Sequence, residues 1–199
     1  VSQFDRAYYR DSYRKSLETT VIRLDQTRHA VVLDDTVFYP EGGGQPGDTG
    51  RLKWSAGGQQ HELIIIDSQA DDQTVYHLFD PDGSPALPGT GTRVEATIDW
   101  ARRFELMQQH SAEHIVSGLA HQLYGATNVG FHISRDLMTC DFDIDLSGEA
   151  LEHIIERANA AVWSNIAYEI TYPDPAELEH LSYRSKIALD DTVRLVTVP

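Results

Sequence analysis

Arg102-Arg103-Phe104-Glu105-Leu106-Met107-Gln108-Gln109-His110-Ser111-Ala112-Glu113-His114-Ile115 is the stretch on which the reading of this chain turns. Good helix formers fill it, and neither Pro nor Gly interrupts before Gly118, so a helix is expected. At about 100° per residue, Phe104, Ala112, Ile115, Val116, Leu119 and Leu123 share one broad apolar face, which is expected to pack on the core. His110 and His114 fall on the other side, one turn apart, a spacing at which two imidazoles converge on one metal ion. Two solvated surface histidines are the plain alternative. Glu113 makes the order H-x-x-E-H, the inverse of the zinc-protease H-E-x-x-H, so the helix alone leaves the reaction class open.

Working outward, the residues before this helix read as short strands. Thr19 to Leu24, Ala30 to Leu33, Thr36 to Tyr39, Arg51 to Trp54, His61 to Ile66, Thr74 to Leu78 and Arg93 to Trp100 are rich in Val, Ile, Thr and Tyr. Turn residues such as Asp34-Asp35, Gly57-Gly58 and Asp80-Pro81-Asp82-Gly83-Ser84-Pro85 separate them. Phe4 to Ser16 reads as a polar and aromatic lead-in. Strands at this spacing imply a small barrel or sandwich ending near residue 100. Within it, Tyr39-Pro40-Glu41-Gly42-Gly43-Gly44-Gln45-Pro46-Gly47-Asp48-Thr49-Gly50 stands apart. Its three consecutive glycines permit close approach of a ligand or another chain to the backbone. No Lys-Ser or Lys-Thr follows, so it is not a P-loop, and taken alone it reads as a flexible hairpin loop.

Beyond the central helix, Gly125 to Ser134 and Leu137 to Ile144 read as strands. A second helix is expected from about Gly148 to Asn165, with Ser147 as N-cap and Leu151, Ile154, Ile155, Ala158 and Val162 on its apolar face. Ile166 to Tyr172 is a further strand, Asp174-Pro175-Ala176-Glu177 opens a helix, and Val193 to Val198 is a last strand. The fold class is α+β, with a β-barrel domain over 1–100 and an α+β domain over 101–199.

Composition narrows the chemistry. The 199 residues carry 31 Asp and Glu against 16 Lys and Arg, a net charge of −15. Long-range attraction to a phosphate backbone is therefore unfavourable, and any nucleic-acid contact has to be local. No run approaches the roughly 18 apolar residues of a membrane span, and the start is not a signal peptide. Cys140 is the sole cysteine, which points to a reducing cytoplasm and reads as a small buried apolar residue.

The Gly-rich stretch Phe38 to Asp48, followed roughly 65 residues later by Gln109-His110-Ser111-Ala112-Glu113-His114, resembles the free-standing alanyl-tRNA editing proteins, the AlaX family. These are similar to the editing domain of alanyl-tRNA synthetase. Arg10-Asp11-Ser12-Tyr13, Cys140-Asp141-Phe142-Asp143 and Val193-Arg194-Leu195-Val196 sit where that family has similar segments. The resemblance runs from about residue 8 to the end. It implies an N-terminal β-barrel bearing the Gly-rich motif and an α+β editing domain that holds zinc. The activity it implies is hydrolysis of the ester joining a wrong amino acid, serine or glycine, to alanine tRNA. By association with the synthetase it also carries ATP binding and a role in translation fidelity.

On this resemblance His110 and His114 are two zinc ligands. The other two belong to a Cys-x-x-x-His motif expected beyond residue 199, so the chain as given is expected to hold zinc weakly. Gly42, Gly43, Gly44 and Gln45 are the substrate-binding candidates, facing the 3′ end and acceptor stem of the aminoacylated tRNA. Glu113 lies about 60° from the histidine stripe. It is a candidate general base or partner of the ligands, and reads foremost as surface charge. His132 is the other catalytic candidate, although a partly buried histidine bonded to backbone is the plainer reading. Three functions remain open: the trans-editing hydrolase, a metal-dependent hydrolase of another class using H-x-x-E-H, and a tRNA-end binding module without activity.

Overall fold

In Gly50–Ala56 and Gln59–Ile65 the side chains alternate, with Leu52, Trp54, Leu63 and Ile65 buried and Arg51, Lys53, Glu62 and Ile64 facing out. That period of two produces strands with one buried face. The computed structural model describes residues 5–72, 74–83, 86–134, 137–181 and 193–197. A short helix α1 (Ala7–Arg10) opens it, where the sequence reads only as a lead-in. Then come β1 (Ser16–Asp25), β2 (Ala30–Leu33), β3 (Gly50–Ala56), β4 (Gln59–Ile65), β5 (Asp67–Asp71), β6 (Thr74–Leu78) and β7 (Arg93–Ile98). The central helix α2 is Trp100–Tyr124, followed by β8 (Asn128–Ile133), β9 (Met138–Phe142), α3 (Gly148–Trp163), β10 (Glu169–Thr171), α4 (Pro175–Leu178) and β11 (Leu195–Thr197). The fold is α+β with antiparallel pairing.

Strands β1 to β7 form one sheet in the order β4-β3-β7-β1-β2-β6-β5. The expected barrel is not closed by hydrogen bonds, because β4 and β5 are the two edges of the ladder. Only Ile66 separates them in sequence, and its N–H bonds the carbonyl of Leu78 (2.9 Å). One bent stretch of chain thus pairs with β3 by its first part and β6 by its second. The apolar core on this sheet includes Val21, Val31, Leu52, Leu63, Ile65 and Ile98.

Val37 and Phe38 also lie in that core, yet Thr36 to Tyr39 is not a strand. Its polar groups are satisfied by side chains rather than by a ladder. His77 Nδ1 donates to the carbonyl of Val31 (2.8 Å), so Nε2 accepts from the Thr36 hydroxyl (2.7 Å). Thr36 Oγ1 in turn accepts from the Phe38 N–H (3.0 Å). Burial holds the His77 pKa down at about 4, against 6.5 for an exposed imidazole. The ring is neutral at pH 7.

The chain divides into two compact units, one of Val1–Glu113 with Val129–Asp141, the other of His114–Asn128 with Phe142–Pro199. In the second, Ala120, Ala126 and Ile154 form a small apolar cluster with Val116, Leu119, Phe142 and Leu146 against it. Gly125 ends α2 at φ +69°, its N–H bonding the carbonyl of His121 (2.9 Å) while that of Ala126 reaches Ala120 (3.3 Å). The 5→1 bond from a glycine of positive φ is the αL form of helix C-cap. Ser147 caps α3 as expected, Oγ accepting from the Ala150 N–H at 3.2 Å. Of the expected apolar face of α3, Ile154 is buried but Leu151, Ile155 and Val162 are exposed. Leu195–Thr197 pairs with β10; Val198 of the expected last strand, and Ser84-Pro85 of the expected turn, lie outside the described residues. No helix among the described residues is long and apolar enough to cross a membrane.

The buried stripe of α2 differs from expectation. Arg103, Leu106, Glu113, Ser117 and Ala120 are buried, three or four residues apart except where half-buried His110 bridges the longer gap. Phe104 is exposed, and Ala112, Ile115, Val116, Leu119 and Leu123 are only half-buried. An amphipathic count assigns the stripe to apolar residues; here Arg103, Glu113 and Ser117 share it with Leu106 and Ala120.

Candidate functional site

Arg103 anchors the site. Its side chain and that of Asp48 are 3% and 1% exposed, and they form a two-pronged ion pair. Arg103 Nε donates to Asp48 Oδ1 (2.7 Å) and Nη2 to Oδ2, while Nη2 also reaches the carbonyl of Val37 (2.9 Å). Burial pushes the Asp48 carboxyl up from its ordinary range, and the hydrogen bond from Arg103 opposes that rise. The remaining capacity of Asp48 is used locally: Oδ2 accepts from the Tyr39 N–H (2.8 Å), and its own N–H donates to the Tyr39 carbonyl (2.9 Å). Arg102 Nη1 adds a bond to the carbonyl of Gly47 (2.7 Å). Asp99 Oδ1 accepts from the Arg102 N–H at the start of α2 (3.3 Å), placing both arginines on the first turn.

These bonds close the loop Tyr39 to Asp48. Pro40 and Pro46 have no N–H to give, so a regular ladder cannot run through it. Glu41 donates instead to the carbonyl of Ser68 in β5 (2.8 Å), and Ser68 Oγ donates to the carbonyl of Asp48 (2.9 Å). A Cβ on Gly47 would lie 2.1 Å from the Ser68 carbonyl oxygen, so only glycine allows this approach. At the tip, Gly42 and Gln45 exchange both backbone hydrogen bonds (3.0 and 3.1 Å) around Gly43 and Gly44, whose φ values are +57° and +76°. Two positive φ angles define a type I′ turn, for which Gly-Gly is well suited.

The turn is seated against α2. Gln45 is 4% exposed, and its Oε1 accepts a hydrogen bond from His110 Nδ1 (3.0 Å). A Cβ on Gly43 would lie 3.5 Å from His110 Cε1, and one on Gly44 only 2.6 Å from Cζ of Phe131 in β8. The Phe131 and His110 rings are 5.6 Å apart between centroids. The two motifs therefore meet, with Phe131 as a third wall.

The other expected residues stand as follows. His114, one turn along α2, is exposed. Glu113 is 2% exposed, so the surface-charge reading is corrected: the helix turns its carboxylate inward, on the stripe shared with Arg103 and Ser117. His132, next to Phe131 in β8, is exposed rather than partly buried. Cys140 is half-buried rather than fully enclosed. Asp48, Arg103, Phe131 and His77 escaped the sequence reading. Only the Pro-Gly-Asp turn and the paired arginines hint at them, and neither names its partner.

As a nitrogen donor to a metal, His110 fits. With Nδ1 carrying the proton towards an acceptor-only amide oxygen, Nε2 is the lone-pair nitrogen of the neutral ring. Zinc sites use such oriented imidazoles, four ligands in all when structural and three plus water when catalytic. Among the described residues no group of three or more His, Cys, Asp or Glu side chains is arranged to hold a metal ion.

Residues 12–102 match the family model for class II (A) tRNA synthetases. Over 84% of its length the chain is 33% identical to the alanyl-tRNA editing protein AlaX-M of Saccharolobus solfataricus, and it covers 68% of that protein. The chain belongs to the AlaX family. It is also 36% identical, over 79% of its length, to AlaX-L of Pyrococcus horikoshii, of which it spans 37%. Its similarity to an alanine–tRNA ligase of Halobacterium salinarum, 34% identical, covers the whole chain and 22% of the ligase. Some AlaX relatives and the ligase are thus much longer than the matched region. The synthetase match covers the Gly-rich turn of this AlaX chain and stops short of His110.

Proposed function

We propose that this chain is an aminoacyl-tRNA deacylase that hydrolyses the ester between alanine tRNA and a wrongly attached serine or glycine. The hydrogen bond between Gln45 and His110 carries the reading, because it joins the Gly-rich turn to the histidine helix across 65 residues. In the reaction, water adds to the ester carbonyl, the carbon–oxygen bond to the ribose breaks, the ribose oxygen takes a proton, and the free amino acid leaves. Gly43 and Gly44 leave room for His110 and Phe131 to sit directly against the turn. Gln45 holds the His110 ring in one orientation and one tautomer. His110 and His114 are the imidazole donors for zinc. When bound, the ion supplies Lewis-acid polarisation or a lowered water pKa. Phe131 closes one side against water. With a chain charge of −15, contact with RNA is confined to the 3′ end and acceptor stem, and weakens steeply as salt rises. The single cysteine suits a cytoplasmic setting.

Release of serine from mischarged alanine tRNA tests this directly. His110→Ala is expected to lose at least about 100-fold in rate and Gln45→Ala about 10- to 100-fold, with zinc content falling in both. Deacylation by His110→Ala at the parent rate would overturn the assignment.

A further inference from the structure

Before the Gly-rich turn reaches His110, it borders a separate pocket. Tyr8 and Tyr9 of α1 meet Tyr39, the first residue of the loop, in a three-ring cluster. The Tyr8 and Tyr39 centroids are 5.6 Å apart at 85°, those of Tyr9 and Tyr39 6.4 Å at 81°, and those of Tyr8 and Tyr9 4.6 Å at 50°. Tyr8 is buried, whereas Tyr9 and Tyr39 are half-buried. Together they line an open pocket of about 160 Å³ that extends to Gly42. A cavity of about 150 Å³ takes a benzene ring, so the space matches a flat ring system. Its charged lining is mixed: Arg6 on one hand, Glu41 and Asp72 on the other.

Each part of this lining has a chemical preference. Tyrosine rings offer π surface to any planar base. Carboxylates accept hydrogen bonds from amino groups and repel phosphate, whereas an arginine attracts it. A neutral heterocycle with an exocyclic amino group, tethered to one phosphate, satisfies all three. Position agrees. Gly42 lines the pocket and Gln45 holds His110, and as a doubly hydrogen-bonded pair their Cα atoms stand only about 5.5 Å apart. One nucleotide can therefore lie across the hairpin, its base on one side and its ribose ester on the other.

We propose that this pocket seats an unpaired, amino-bearing nucleobase, the terminal adenine of the tRNA acceptor end. Tyr9 and Tyr39 are its stacking surfaces, and Glu41 and Asp72 accept from the amino group. The identity of the RNA rests on the deacylase reading; the preference of the pocket for such a base does not. The test therefore has two arms on the full chain. In the first, adenosine 5′-monophosphate and uridine 5′-monophosphate are titrated by calorimetry. The adenine nucleotide is expected to bind at least tenfold more tightly. Tyr9→Leu, which keeps an apolar side chain, weakens it by about 5- to 100-fold, and the exposed Glu41→Gln narrows the preference over uridine. In the second arm, Tyr9→Leu raises KM for mischarged tRNA while kcat stays within about twofold. Equal or absent binding of the two nucleotides overturns the proposal even if deacylation is found. Adenine-selective binding that weakens in Tyr9→Leu and becomes less selective in Glu41→Gln upholds the pocket even if no tRNA is deacylated, in which case it is the deacylase reading that fails.

Discussion

The dipeptide Gly-Gly closes two hairpins in this chain, with φ of +57° and +76° at Gly43-Gly44 and of +59° and +77° at Gly57-Gly58. The backbones are nearly the same, and both are two-residue turns. Their surroundings differ. A Cβ on Gly57 or Gly58 would meet nothing within 4 Å, while one on Gly44 would strike the Phe131 ring. The β3–β4 hairpin continues as a seven-pair ladder with exposed charges such as Lys53 and Glu62 facing each other. The Gly43-Gly44 loop has only one bridge and is fixed by buried side chains instead. A regular ladder holds its turn through repetition; the irregular loop depends on a few polar residues with nothing to replace them.

The sharpest way to break this comparison is to remove one such residue. Asp48→Ala leaves the Arg103 guanidinium buried without its carboxylate and is expected to cost about 3–5 kcal/mol. Lys53→Ala on the hairpin removes an exposed pair and is expected to cost under about 1 kcal/mol. Denaturant unfolding of the two variants reads both, and equal losses would show that the loop is not held by its ion pair. The next effect is a pH dependence. His77 is neutral in the fold with a pKa near 4, against 6.5 when exposed, so its stabilising contribution is fully present above pH 6.5. It is lost as pH falls through 6.5 to about 4, because the unfolded chain takes up the proton first; the loss is on the order of 3 kcal/mol. Urea midpoints across that range should show this slope, and replacing His77 with Gln should flatten it.

The smallest effect separates the turns themselves. Gly58→Ala is expected to cost about 1 kcal/mol, since only the positive φ opposes it. Gly44→Ala carries the same strain plus the contact with Phe131, and is expected to cost about 2 kcal/mol or more. In a Phe131→Ala background the excess should disappear, a coupling that a double-mutant cycle measures.

Much of this was readable in the residues. Ser147 ahead of a periodic apolar run marks α3, and the alternation in Leu52 to Trp54 marks β3. Three consecutive glycines announce positive φ, and H-x-x-E-H on an uninterrupted run announces histidines on a helix. Periodicity failed where burial is polar. Counting apolar residues gives α2 a face led by Phe104, but Arg103 is buried because Asp48, 55 residues away, satisfies it. Glu113, also charged, is buried on the same stripe. Thr36 to Tyr39 has the composition of a strand, yet His77, Arg103 and Asp48 take up its polar groups where a neighbouring strand would have done so. A local pattern cannot show a partner that only folding supplies.

The bent stretch from β4 into β5 has a consequence for how the loop moves. Glu41 and Asp48 are tied to Ser68 just past that corner, so the irregular segment opens only if β5 lets go of it. Its amide protons should then exchange with solvent as slowly as those of the flanking strands, despite the lack of ladder pairing. The entropy of holding the turn in place is met when the chain folds rather than when a ligand arrives, and the loop can serve as a fixed wall instead of a lid.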